Sequence, residues 1–165
     1  MLDHTLTFIK SLPKEYAVLL MGAAPVGELR VAVPLGLYLG LSPLKTFVIA
    51  VIGNIIPIAP ILFFLEPVSN RLRKFKIFAR FFDWLFERAR KKAVSVQKYE
   101  FWGLAIFVAI PLPMTGAWTG AIIGSLFKMR FRDAFVSISL GVLGAGIIVT
   151  TLCMLGVMSW KAVIN

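Results

Sequence analysis

Two ionisable residues stand two positions apart inside apolar sequence. In GAAPVGELRVAVPLG, Glu28 and Arg30 are flanked on both sides by residues that cannot carry charge. A charge left alone at membrane depth is costly, so these two must face each other, a wet cavity or a bound ion. Arg30 offers a permanently charged fork suited to a phosphate or another anionic head group. Glu28 offers a carboxylate that exchanges a proton, or pairs with Arg30 when no anion is bound. The competing reading is a short turn with both side chains in interfacial water. A second polar cluster, PLPMTGAWTG, carries no charge. There Thr115, Trp118 and Thr119 supply hydroxyl and indole groups beside Gly116 and Gly120, either as further lining of the same site or as partners for the carbonyls of a broken helix. Asn54, in GNIIPIAP, is a buried amide that needs a partner, and serves either as glue between helices or as a substrate contact.

Other chemistry is missing from the sequence. His4 is the single histidine and Cys153 the single cysteine, so neither a histidine metal centre nor a disulfide is expected. The eight acidic residues are scattered, without the close carboxylate pairs of a metal-dependent phosphotransferase. No GxxxxGK[ST] phosphate loop occurs. The expectation is a protein with no catalytic residues, no metal and no cofactor.

The elements that must position Glu28 and Arg30 are those of a membrane domain. Of 165 residues 59% are hydrophobic and 16% charged, with mean hydropathy +0.86. A soluble domain runs at about 45–50% apolar residues even with glycine included. Too little polar surface is left here to clothe a globule in water, which excludes a disordered chain and a compact soluble enzyme. Residues 46–68 and 134–160 are apolar runs long enough, at about 1.5 Å per residue, to cross a hydrocarbon core of about 30 Å. Residues 16–42 and 101–127 are as apolar but interrupted, the first by Pro25, Gly27 and Pro34, the second by Pro111, Pro113 and Gly116. Proline removes a donor and drives the residue before it out of the helical region. Each of these regions therefore reads as a re-entrant hairpin of two half-length helices, its tip surrounded by protein or a wet cavity. Pro57 predicts a kink in the first span, and Gly141 and Gly144 give the second a small-residue face for close helix contact. The opening MLDHTLTFIK is too polar for a secretory signal peptide.

The formal charge is +10, concentrated between the apolar runs. In residues 69–100, Phe75, Phe78, Phe82, Leu85 and Ala89 recur at helical spacing opposite Lys76, Arg80, Asp83, Glu87 and Arg90. This pattern predicts a basic amphipathic helix over 72–92 that meets anionic lipid at the membrane surface or packs on the protein as a cytosolic connector, rather than an arm for nucleic acid. An offset of 88 residues pairs Pro25 with Pro113, Gly36 with Gly124, Phe47 with Phe135, Val48 with Val136 and Gly53 with Gly141. Each half reads as broken hairpin, charged turn, full span, which is the plan of two inverted repeats. If both hairpins return to the side they enter from, thirteen Lys and Arg between residues 71 and 132 share one side, against Lys10, Lys14, Lys45 and Lys161 on the other. The rich side is then cytoplasmic and both termini are outside. If all four apolar regions cross fully, the thirteen divide between opposite faces.

The strings PVGELRVAVPLG, FVIAVIGNIIP and FWGLAIFVAIPLPMTGAWTGAIIG resemble the bacterial and archaeal small multidrug export protein family over nearly the whole chain. More remotely the plan is similar to the DedA and VTT superfamily, with paired re-entrant hairpins and proposed lipid flippases and scramblases; Pro25 to Glu28 matches its Pro-x-x-Glu hairpin motif. It departs where DedA proteins carry arginine in the second hairpin, since Thr115 and Trp118 stand there and the arginine is Arg30. The resemblance implies an export or transport role.

The resulting expectation is an all-α integral membrane protein of the cell membrane with a single domain over 1–165. Repeat 1 spans 16–68, the connector 69–100 and repeat 2 101–160. Its function is that of a small secondary transporter or flippase for a phosphate-bearing lipid or another anionic, amphipathic substrate, coupled to a proton or ion and working as a homodimer. A membrane scaffold or assembly factor, and a channel, are the alternatives.

Overall fold

Prolines and tight turns cut the chain into short helices. The computed structural model describes residues 13–72, 80, 83, 84, 87, 96–112 and 115–164, and all regular structure among them is α-helical. Helix α1 (Lys14–Ala23) starts after Pro13, whose carbonyl accepts from the N–H groups of Tyr16 and Ala17 at 2.9 and 3.3 Å. It stops because Ala24 precedes Pro25 and is extended, with ψ 140°, as a residue before proline must be. α2 (Glu28–Tyr38) runs through Pro34, which lies on its exposed side. α3 (Pro43–Ile55) begins on a proline, where the missing N–H costs nothing, and ends before Pro57. α4 (Ile58–Leu72) resumes directly after it. α5 (Val96–Ala109) ends before Pro111, and α6 (Ala117–Leu126) and α7 (Phe131–Ile164) complete the order.

Among the described residues two stretches are long and apolar enough to cross a membrane: Pro43–Leu65, 23 residues through the α3/α4 break, and Phe131–Gly156, 26 residues of α7. Only 28% and 33% of their most apolar windows are buried inside the protein. Leu44, Ile52, Phe63, Ile147 and Leu152 point outward. A core helix of a soluble protein would bury most of that surface; here lipid is the solvent that accepts it. The chain is an integral membrane protein with at least two spanning segments. The first span is two helices around Ile56 and Pro57, where the sequence predicted a kink. α1, α2, α5 and α6 have 10, 11, 14 and 10 residues. At about 1.5 Å per residue none of them alone covers about 30 Å of hydrocarbon. α5 begins at Val96, inside the expected connector. Most of the amphipathic helix expected over 72–92 lies outside the described residues; Arg80, Asp83, Trp84 and Glu87 are helical and exposed.

The chain divides into two compact units, Met1–Asn54 with Ala145–Asn165, and Ile55–Gly144. In the first, α1 and α2 form an antiparallel pair: a Cβ on Gly36 would meet Val18 at 3.1 Å, and one on Gly27 would meet the Met21 sulfur at 2.7 Å. α3 lies backbone to backbone on α1, because a Cβ on Gly53 would strike the Leu19 carbonyl and one on Gly22 would sit 2.8 Å from the Ala50 carbonyl. Such contacts are how helices associate where burial in lipid gives no hydrophobic drive. Gly146 of α7 packs on Phe47 and Val51. In the second unit α5 and α7 touch in the same manner, with Gly141 against the Ala105 carbonyl, while Gly124 of α6 meets Ala134 and Leu104. The buried Ser137 hydroxyl donates to the Phe101 carbonyl at 2.5 Å, and Phe131 joins the rings of Phe63 and Phe135 at 4.5 and 5.8 Å.

The turn after α2 and the turn after α6 have the same hydrogen bonds, 88 residues apart. Leu41 donates to Gly36 and Gly40 to Leu37, the two bonds of a Schellman cap; Met129 donates to Gly124 and Lys128 to Ser125. Thr46 donates to Ser42, and Ala134 to Arg130. The left-handed residue of the first cap is Gly40, φ 80°, and that of the second is Lys128, φ 53°. The helix contacts follow suit: Val18–Gly36 and Leu19–Gly53 in one unit correspond to Leu104–Gly124 and Ala105–Gly141 in the other. The partners on α1 and α5 are offset by 86, so the second pair has two more residues at its tip.

Candidate functional site

The tip of the α1/α2 pair is built from Ala24 to Glu28. Pro25 forbids α1 to continue, and the chain reverses so that α2 begins on Glu28, whose backbone is left-handed with φ 47°. A residue with a Cβ pays about 1–2 kcal/mol for that conformation. Glycine would avoid the strain. The Glu28 N–H donates to Ala24 at 3.3 Å. Glu28 is 8% exposed, and its carboxylate lies 3.8 Å from the Arg30 guanidinium, whose side chain is 30% exposed. At that spacing the two side chains form an ion pair. The N-terminal pole of α2 adds positive potential at the same tip. α1 presents its C-terminal pole there.

Asn54 belongs to the same unit. It lies in the last turn of α3, 1% exposed, with its backbone nitrogen 3.4 Å from the Cβ position of Gly22. It packs against Gly22 of α1, yet its Oδ1 accepts no hydrogen bond. Thr46, two turns earlier on α3, is fully buried and its hydroxyl is likewise without a partner. Sequence reasoning passed over Thr46, although Thr46, Ala50 and Asn54 recur every four residues and mark the packed face of α3.

The second polar cluster lies in the other unit. The Thr115 hydroxyl is 2.6 Å from the Ile110 carbonyl and 2.8 Å from that of Leu112, and accepts from the Leu112 N–H at 3.1 Å. Pro111 and Pro113 supply no N–H to the end of α5, and Thr115 fills that gap. Trp118 and Thr119 are half-buried in the first turn of α6. Gly116 and Gly120 are buried, Gly120 with Val108 at 2.6 Å from its Cβ position. Gly144 rests on Ala109 at 3.2 Å. Pro113 is outside the described residues, Pro25 is exposed, and Pro57 and Pro111 are half-buried. Along the 88-residue correspondence, Glu28 falls on Gly116 and Arg30 on Trp118, so the two tips share a frame and differ in chemistry. Among the described residues no group of three or more His, Cys, Asp or Glu side chains could hold a metal ion.

Residues 28–148, from Glu28 into the second half of α7, match the protein family described as "Putative small multi-drug export protein". No curated protein and no solved structure matches the chain. That description concerns export and not a catalysed reaction, and the match takes in the tip charges, the first spanning stretch, most of the second and both Schellman turns. The chain belongs to the small multi-drug export protein family.

Proposed function

We propose that this protein is a small secondary transporter or flippase that takes an anionic, amphipathic substrate, such as a phosphate-bearing lipid, at the Glu28–Arg30 tip. The observation that carries the reading is a buried carboxylate held in a left-handed backbone 3.8 Å from a half-buried guanidinium. Arg30 and the amides at the start of α2 receive the anion. Glu28 neutralises Arg30 when the anion leaves and exchanges a proton during turnover.

The two helix pairs are read as re-entrant and the two halves as inverted repeats, in a homodimer of the cell membrane with a cytoplasmic connector and termini outside. Helix lengths of about half a bilayer support this, as do the duplicated turns and the charge bias. Tyr16 and Tyr38, 58% and 87% exposed, share the open end of the first pair with the Glu15–Lys45 ion pair, as groups at a membrane interface would. Thr115 serves the second tip as structure, and Trp118 is the apolar counterpart of Arg30.

The test is flipping of a fluorescent phosphatidic acid in proteoliposomes, read by chemical quenching of the outer leaflet, beside thermal melts of each variant. Arg30→Gln should abolish flipping in a folded protein, and Glu28→Gln should keep binding while losing turnover and its pH dependence. Folded variants as fast as the parent with unchanged pH profiles would refute the mechanism.

A further inference from the structure

The two Schellman turns share their main-chain hydrogen bonds and differ in the side chains they present. The first reads LGLSPLK over residues 39–45, and its cation, Lys45, is held by Glu15 at 2.6 Å. The second reads FKMRFRD over residues 127–133. Along the offset of 88, Gly40, Ser42 and Leu44 become Lys128, Arg130 and Arg132, so the backbone of the turn does not require these three cations. All three are exposed, as is Asp133, the one acid in the stretch. Among the described residues no ion pair engages Lys128, Arg130 or Arg132. The first amides of α7, which have no intrahelical acceptors, add positive potential at the same place.

The independent observation is the aromatic surface around this turn. The ring of Phe63, just before the first spanning stretch closes at Leu65, lies 4.5 Å from that of Phe131, where the second stretch opens. An end of each spanning stretch is therefore found here. Phe63, Phe64 and Phe131 are all exposed. α5 brings Trp102 to the same end of the unit, because its Leu104 packs at Gly124, whose carbonyl closes the turn by accepting from Met129. Trp102 is exposed and stands edge-on to Phe101. Tryptophan with such exposure belongs at the head-group level of a bilayer. A partner suited to unpaired cations and exposed rings at one level carries a negative group joined to apolar chains. An anionic phospholipid has that chemistry, whereas a free anion or an acidic peptide would leave the rings uncovered.

We propose that the turn between α6 and α7 is a docking surface for an anionic phospholipid. Lys128, Arg130 and Arg132 meet the head group, and Phe63, Phe131 and Trp102 border its glycerol and acyl chains. This lipid is a resident partner, distinct from a substrate at the Glu28–Arg30 tip and from any lipid at residues 72–92.

The experiment reconstitutes the full chain in phosphatidylcholine vesicles with a trace of spin-labelled phosphatidylglycerol or spin-labelled phosphatidylcholine. The immobilised fraction of each label gives their relative affinity. The parent should prefer phosphatidylglycerol. A basic side chain at an anionic surface strengthens association by up to about five-fold, so Lys128→Gln/Arg130→Gln/Arg132→Gln should lower the preference at least about three-fold. Lys128→Arg/Arg130→Lys/Arg132→Lys keeps the charges and should keep the preference. Raising the salt from about 0.05 M to about 0.5 M should weaken the preference of the parent more than that of the triple Gln variant. The comparison is repeated in Arg30→Gln, which removes the substrate tip, and the triple substitution should lower the preference there by the same factor. If the triple Gln variant does not fold, Arg132→Glu, a single reversal at an exposed position, carries the same test. No preference in the parent, or an equal preference in the folded charge variants, overturns the docking surface.

Discussion

Replacing Lys128 by glycine should stabilise the protein, although it deletes a charge and adds no contact. Lys128 occupies the left-handed position of the second Schellman turn with φ 53°, where Gly40 stands in the first with φ 80°. The lysine backbone bears about 1–2 kcal/mol of strain there. Glycine removes that strain and returns about 0.5–1 kcal/mol of it as greater freedom in the unfolded chain. The net gain is about 0.5–1 kcal/mol, or a rise of about 1–4 °C in Tm for a chain this long. Gly40→Ala is the converse: the atom nearest to the added Cβ is the Lys14 Nζ at 3.9 Å, so no collision contributes and the loss of about 1 kcal/mol is backbone strain alone. Lys128→Ala controls for the charge, since it removes the ammonium and keeps the Cβ; it should not gain stability. Thermal melts in one detergent, with reversibility checked by rescanning, measure all three. If Lys128→Gly melts no higher than Lys128→Ala, or Gly40→Ala matches the parent, the two turns do not work as described.

Gly53→Ala should cost about 1–3 kcal/mol, because the new methyl group strikes the Leu19 carbonyl and forces α1 and α3 apart, whereas a methyl at Gly144 meets only Ala109 at 3.2 Å; the difference between the two melting points checks it. Glu15 is held below the usual carboxylate range, first by the hydrogen bond from Lys45 at 2.6 Å and then by its own backbone. A lowered folded pKa gives stability that is present above the unfolded carboxylate range near 4.3 and lost as pH falls through the folded value. Melts from pH 6 down to 3 should show a decline that Glu15→Gln flattens.

What was legible in the sequence were the features set by chain chemistry. Pro25, Pro57 and Pro111 announce helix ends that the structure places at Ala23, Ile55 and Ala109, whereas Pro34, read from the sequence as a further interruption, lies inside α2. Long uncharged runs announce the two spanning stretches. The left-handed backbone of Glu28 was not legible, because spacing carries no information about φ. Five identities at an offset of 88 gave only a faint sign of the duplicated turn, since its hydrogen bonds are made by main chain and tolerate Lys128 in place of Gly40. For Asn54, burial was legible, and the missing partner was not.

The brevity of α1, α2 and α6 also bears on how the protein reaches its membrane. A nascent segment is released into lipid when it is long and apolar enough to be read as a span, and among the described residues two stretches meet that description. α1 and α2 leave the ribosome before either of them, carrying Glu28 and Arg30. α1 packs on the backbone of α3, through Gly53 and Ala50, and α3 in turn receives Gly146 of α7, the last helix made. The order of synthesis is therefore not the order of assembly: α1 is made before α3, the helix whose backbone it packs against.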